Sequence, residues 1–143
     1  MTRPIAVVDT NLLIILLDST NTQTANNRRT HCELTIERLE KLGARFIVPT
    51  PVVAEMCRVG RGSDAIRQVV RTLLTTLRIE VLDEDAADIA GEISRTRLQN
   101  RAGRERGAVK YDALIAAIAA RLGARWLVTT NPDDMRQCLA ALR

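Results

Sequence analysis

Aromatic side chains are nearly absent from this chain: one Trp, one Tyr and one Phe, 2% of 143 residues. The core must therefore be aliphatic. The chain also lacks the rings on which bases stack in RNA-recognition sheets and oligonucleotide-binding barrels. Histidine occurs once, as His31 beside Cys32, and adjacent helical residues point in different directions. The cysteines, Cys32, Cys57 and Cys138, are odd in number, widely separated and without a CxxC. These scarcities argue against zinc chemistry and against Ser-His-Asp or Cys-His catalysis, and they point to a reducing compartment. Cys57 and Cys138 lie among apolar residues and are expected as small core hydrophobes. Long hydrophobic runs are missing too. Ile5–Val8 is cut by Asp9-Thr10-Asn11 before Leu12–Leu17 resumes, which breaks a signal-peptide core, and nothing approaches a membrane-spanning length. A cytoplasmic protein with no membrane partner is expected.

What is present is ordinary for a folded chain: 46% hydrophobic and 27% charged residues. The length fits one domain, 1–143, burying about two-thirds of the surface its unfolded form exposes. The net charge of +4 is only mildly basic. Its distribution is uneven, with Arg95, Arg97, Arg101, Arg104, Arg106 and Lys110 crowding one helix end and the loop after it. Such a cluster reads either as a polyanion contact or as a solvated surface.

Ile5–Val8 is a short continuous apolar run, as suits a strand buried on both faces, and Thr10–Leu17 reads as a largely apolar helix. Asp18–Asn27, rich in Ser, Thr, Asn and Gln, is expected as a loop. Cys32–Leu42 has helical spacing and stops at Gly43; Phe46–Val48 is a second strand closed by Pro49. Thr50 then caps a helix over Val52–Val59, with Pro51 at its first position. A helix over Ala65–Leu77, capped by Ser63 or Asp64, leads into a strand at Ile79–Leu82. An amphipathic helix over Asp83–Leu98 follows, and the Arg/Gly-rich stretch to Lys110 separates it from the helix Tyr111–Leu122. Trp126–Val128 is the fourth strand, and a last helix runs through Met135 and Leu142. Strands alternating with helices, each strand too apolar for a one-sided sheet, indicate α/β architecture with a mainly parallel sheet of about four to five strands.

Four acidic positions sit at expected strand ends or helix starts. Asp9 ends the first strand, where ligand sites of parallel sheets lie; the alternative is an N-cap of the next helix. Glu55 occupies a helix with little polar face, so it is either a buried functional acid or one stripe residue paired with Arg58. Asp112 shares a helix side with Ile115, Ala116 and Ala119, placing its carboxylate at a buried edge, unless it serves only the helix dipole. Asn131-Pro132-Asp133-Asp134 is equally good helix-start chemistry, yet it leaves the same end of the sheet as Asp9. Carboxylates converging without a cation would repel and one would take up a proton. Oxygen ligands with no histidine or thiolate nearby select Mg²⁺ or Mn²⁺ over zinc, and such sites bind phosphates through the metal.

Val7-Val8-Asp9-Thr10-Asn11, Glu55 after Pro49-Thr50-Pro51, Asp112-Ala113-Leu114-Ile115-Ala116-Ala117 and Leu127-Val128-Thr129-Thr130-Asn131 resemble the ordered blocks of PIN-domain ribonucleases. They are most similar to VapC-type toxins of toxin–antitoxin pairs. The resemblance covers essentially the whole chain and implies a three-layer α/β/α fold. It also implies a Mg²⁺- or Mn²⁺-dependent endoribonuclease, a homodimer, and a small cognate antitoxin that blocks the site. By the same resemblance, Asp9, Glu55 and Asp112 match the core acids. Asp134 matches the variable fourth, preceding Met135 where the family has an aromatic, with Asn131 and Asp133 as other candidates. Asp9 and Asp112 would bind the metal directly, with Glu55 and Asp134 as further ligands. Thr10, Asn11, Thr130 and Asn131 would position substrate, and Arg101, Arg104, Arg106 and Lys110 would touch RNA. A housekeeping RNA-processing nuclease of the same family is one alternative; a non-catalytic α/β binding module is another. A dinucleotide-binding domain is disfavoured because no GxGxxG follows the first strand.

Overall fold

Ile5–Val8 and Phe46–Val48 are apolar without alternation because both faces of their strands are covered: Ala6, Val7, Val8, Phe46, Ile47 and Val48 are all fully buried. The computed structural model describes residues 2–58, 64, 68, 77–99 and 106–142. Within them, β1 (Ile5–Val8), β2 (Arg45–Pro49), β3 (Leu77–Glu80) and β4 (Trp126–Val128) pair in parallel in the order β3-β2-β1-β4. Six helices have described bounds: α1 (Thr10–Leu17), α2 (Gln23–Lys41), α3 (Thr50–Arg58), α4 (Glu84–Gln99), α5 (Arg106–Arg121) and α6 (Pro132–Ala140).

The chain steps from β1 outward to β2 and β3, then returns across the sheet to β4 on the other side of β1. Parallel crossovers are right-handed, so this reversal puts the helices before β3 on one face and those between β3 and β4 on the other. The result is the expected three-layer α/β architecture. It also opens a crevice between the carboxyl ends of β1 and β4, the place where doubly wound sheets bind ligands. Asp9 N donates to Val128 O at 3.0 Å and pins the two strand ends there. On one face α1 packs on α2 and α3; α4 and α5 form the most extensive helix pair, with α6 packed against both.

Several boundaries differ from the sequence expectation. Gln23–Asn27, expected as loop, is the first turn of α2. Polarity there marks solvent exposure rather than irregular backbone, because the Thr22 hydroxyl caps the helix by accepting from Ala25 N at 3.1 Å. Thr22→Ala is expected to lower stability by about 1 kcal/mol, read as a shift of the urea midpoint without a change in slope. The third strand is Leu77–Glu80 rather than Ile79–Leu82, because pairing with β2 begins at Phe46↔Leu77 and ends at Pro49↔Glu80. Val81, beyond the ladder, is exposed. Leu77 therefore belongs to this strand, and most of the helix expected over Ala65–Leu77 lies outside the described residues. Thr50 begins α3 instead of capping it, and its hydroxyl accepts from Leu82 N at 3.3 Å. Asp83 caps α4 through Ala86 N, at 2.8 Å, and α5 starts at Arg106, five residues earlier than expected. Cys57 is exposed, not core; only Cys32 and Cys138 are buried. An apolar neighbourhood in sequence places a helix residue inside only when it lies on the buried side, held in α3 by Val52 and Met56.

Candidate functional site

Asp9 is the deepest of the four acids, 3% exposed at the end of β1. Its extended backbone (φ −80°, ψ 158°) caps α1, and Oδ1 accepts from Thr10 N at 2.7 Å. Oδ2 accepts from the Thr129 hydroxyl at 2.7 Å, across the crevice. The N-cap alternative is therefore met by one oxygen, while the other faces β4. Burial pushes the Asp9 carboxyl above its usual range; the two hydrogen bonds oppose this, and the negative charge of Glu55 adds to it.

Asp112 stands on α5, on the side whose Ile115, Ala116 and Ala119 are buried. It is itself half-buried. Its carboxyl is pushed up to about 7, first by desolvation and then by repulsion from Asp9, Asp134 and Glu55, with Arg97 pulling the other way. Coulomb coupling fades quickly with distance and screening. That Asp112 feels all three other acids means that the four carboxylates share one region, drawn from β1, α3, α5 and α6.

Glu55 projects from α3 with its side chain 16% exposed and lies 3.9 Å from Arg58, which also sits over the Tyr111 ring at 5.9 Å. The ion-pair alternative for Glu55 thus holds alongside its electrostatic coupling to Asp9 and Asp112. Asp134 Oδ2 accepts from Asn131 Nδ2 at 2.5 Å, and Oδ1 lies 3.6 Å from Arg97 Nη2. Asp133 points away, exposed and 3.3 Å from Arg136. Asn131 occupies the N-cap position of α6 with Pro132 after it, but its side chain makes no capping bond and turns to Asp134 instead.

Thr10 is buried and its hydroxyl has no hydrogen-bond partner, an orphan donor beside Asp9. Asn11 and Thr130 are exposed and, with Thr24, Asn27, Arg28 and Thr129, line a groove of about 920 Å³ between α1, α2 and the end of β4. Arg101 and Arg104 lie outside the described residues, as do the side chains of Arg106 and Lys110, the latter two within α5. Among the described residues, no three Asp, Glu, His or Cys side chains are gathered into a ready-made metal cluster.

Two partners of the acids escape a reading of the sequence. Thr129, one residue before the threonine expected to position substrate, is the one that bonds Asp9 and also accepts from Asn131 N at 3.0 Å. Arg97, part of a basic cluster expected either to touch a polyanion or to be solvated, is 4% exposed. Its signal was there: Ala86, Ala90 and Ile93, all buried, put position 97 on the same helical stripe.

Comparison with known proteins bears on the fold and the family. Three solved structures share the fold: VapBC2 from Rickettsia felis bound to a DNA fragment from their promoter, at 19% identity (TM-score 0.60, 92% of each chain covered); VapBC-1 from nontypeable Haemophilus influenzae, at 20% (TM-score 0.64, covering 95% of this chain and 93% of that one); and FitAcB from Neisseria gonorrhoeae, at 18% (TM-score 0.55, 93% and 92%). No curated protein matches the sequence. The sequence model of the PIN domain matches residues 6–138, a span that runs from β1 to α6 and takes in all four acids; the chain belongs to the PIN domain family.

Proposed function

We propose that this protein is a divalent-metal-dependent endoribonuclease, the toxin of a toxin–antitoxin pair. The observation that carries the reading is the convergence of Asp9, Glu55, Asp112 and Asp134 on the sheet's switch point, where burial first and the charges of the other three acids next push the Asp112 carboxyl up. A protein keeps buried carboxylates together at this cost when a cation compensates them in the working state. The donor set fits Mg²⁺ or Mn²⁺: carboxylate oxygens and hydroxyls, with the lone His31 on the exposed side of α2. Asp9 and Asp112 would hold the ion directly, with Glu55 and Asp134 completing the set.

A cation held there supplies Lewis acidity, easing deprotonation of water and offsetting charge on the scissile phosphate. The chain's own groups do the rest. Thr129 fixes one Asp9 oxygen and Thr10 N the other, so this carboxylate is pre-aimed. Glu55, reached by solvent, orients the water that attacks phosphorus as the P–O bond to the leaving ribose breaks. The Thr10 and Thr130 hydroxyls, with Asn11 and Asn131, position the phosphate. Arg101, Arg104, Arg106 and Lys110 contribute phosphate contacts whose strength falls with salt. The VapBC and FitAcB names of the similar structures support a small antitoxin as partner, and the family resemblance supports a homodimer.

The fourth carboxylate is tested by a pair of substitutions. Asp134→Asn is expected to lower RNA cleavage by ~10²-fold, whereas Asp133→Asn, on the outer face of α6, leaves it within about twofold. An Asp134→Asn variant within about twofold of wild type would remove Asp134 from the site, and an equal ~10²-fold loss in both would place Asp133 there as well. A non-catalytic docking role for the same surface draws on the absence of a preformed three-ligand cluster among the described residues. It predicts no stabilisation by divalent cations and no loss of binding on removing an acid.

A further inference from the structure

A guanidinium excluded from water is costly unless anions surround it. Among the described residues, Arg97 meets that condition through the acidic pocket. Its Nη1 donates to Gln137 Oε1, and its Nη2 lies 3.6 Å from Asp134 Oδ1. Its Nε and Nη2 are buried without a hydrogen-bond partner. The residue projects from the face of α4 that packs on α5 and α6, the helices carrying Asp112 and Asp134. The other Asp134 oxygen is held by Asn131. The Asp134 carboxylate is therefore gripped at both oxygens, by a fixed cation on one side and an amide on the other.

We propose that Arg97 is a positioning residue of the carboxylate pocket, aiming Asp134 and thereby setting the pocket's affinity for a divalent cation. The proposal rests on the metal-nuclease reading above. Gln137 is the anchor that keeps the guanidinium from following the carboxylate when Asp134 turns. The unmet Nε and Nη2 donors leave the contact to Asp134 loose enough for its oxygen to be shared with an incoming cation.

The test is a Mn²⁺ titration of the purified full chain, followed by melting temperature, for wild type, Arg97→Met, Arg97→Lys, Asp134→Asn and the Arg97→Met/Asp134→Asn double variant. Methionine matches the buried stem without its charge, so the fold is expected to survive. Arg97→Met should need about tenfold more Mn²⁺ for half-maximal stabilisation, and Arg97→Lys an intermediate amount. The double variant should be no weaker than the weaker single one, because both changes act through the same carboxylate. In RNA cleavage, kcat should fall and KM stay unchanged. If Arg97→Met fails to fold, the lysine variant carries the same comparison. A titration midpoint equal to or below wild type, or additive losses in the double variant, would overturn the positioning role. Wild type that ignores Mn²⁺ would overturn the nuclease reading itself, and this inference with it.

Discussion

Asp112→Asn is expected to abolish RNA cleavage, by at least ~10³-fold, while making the ion-free protein more stable. The two effects share one origin. Asp112 carries a carboxyl pushed up to about 7 by burial and by three neighbouring acids. The folded state therefore holds this proton more tightly than the unfolded chain, whose carboxyl titrates near 3.8. With the folded value the higher one, its contribution to stability is fully present below about pH 4 and is lost as pH rises through 7. At pH 8 in EDTA the wild type bears the repulsion and the asparagine variant does not. Discounted for the partial exposure of the group, the gain is on the order of 1–2 kcal/mol, or roughly 3–8 °C in melting temperature. At pH 4 the difference should vanish. A variant that melts lower than wild type at pH 8 would mean that Asp112 is a structural cap and not part of a charged pocket.

Mn²⁺ is expected to reverse the same pH dependence in the wild type. A ligand that binds only the folded state adds about 2.7 kcal/mol at a hundredfold excess over its dissociation constant. The stabilisation should appear above pH 7, where Asp112 is ionised, and fade below pH 6 as protons compete for the oxygens. Asp9 adds to this trend, since burial raises its carboxyl as well. Ca²⁺ or Mg²⁺ should act in the same direction, because all are held by oxygen donors. Melting curves with and without Mn²⁺ at pH 5.5 and pH 8 measure it. Equal Mn²⁺ effects at both pH values would place the ion elsewhere on the surface.

The parts of the fold legible in sequence are those whose signal is physical and local. β1 and β2 appear as short apolar runs because both faces are covered, and Asp9 stands out as a carboxylate against such a run. Asp112 is legible because the helix behind it, Ala113 to Ala119, is too apolar to lie on a surface. Legibility fails where the partner decides. β3 slides two residues because its register is set by Phe46 and Pro49, which local propensity does not see. The first turn of α2 is built by a cap and polar contacts, Thr22 to Ala25 N and Gln23 to Asn27, in a stretch whose composition reads as loop. Asp133 and Asp134 are indistinguishable as letters; the packing of α6 against α5 turns one toward Arg97 and leaves the other beside Arg136. Arg97 itself was hidden by its neighbours, since a basic cluster reads as polyanion contact or solvated surface even when one member lies on the apolar stripe.

In the proposed function, a carboxylate pocket built on Asp9 holds a divalent cation and cuts RNA. The measurement that tests it most directly is cleavage of total RNA by purified wild type and Asp9→Asn, each with Mn²⁺, with Mg²⁺ and with EDTA. Discrete fragments are expected from wild type with either metal, none in EDTA, and none from Asp9→Asn under any condition, although both proteins fold. Fragments of equal yield from the two proteins, or from wild type in EDTA, would contradict it.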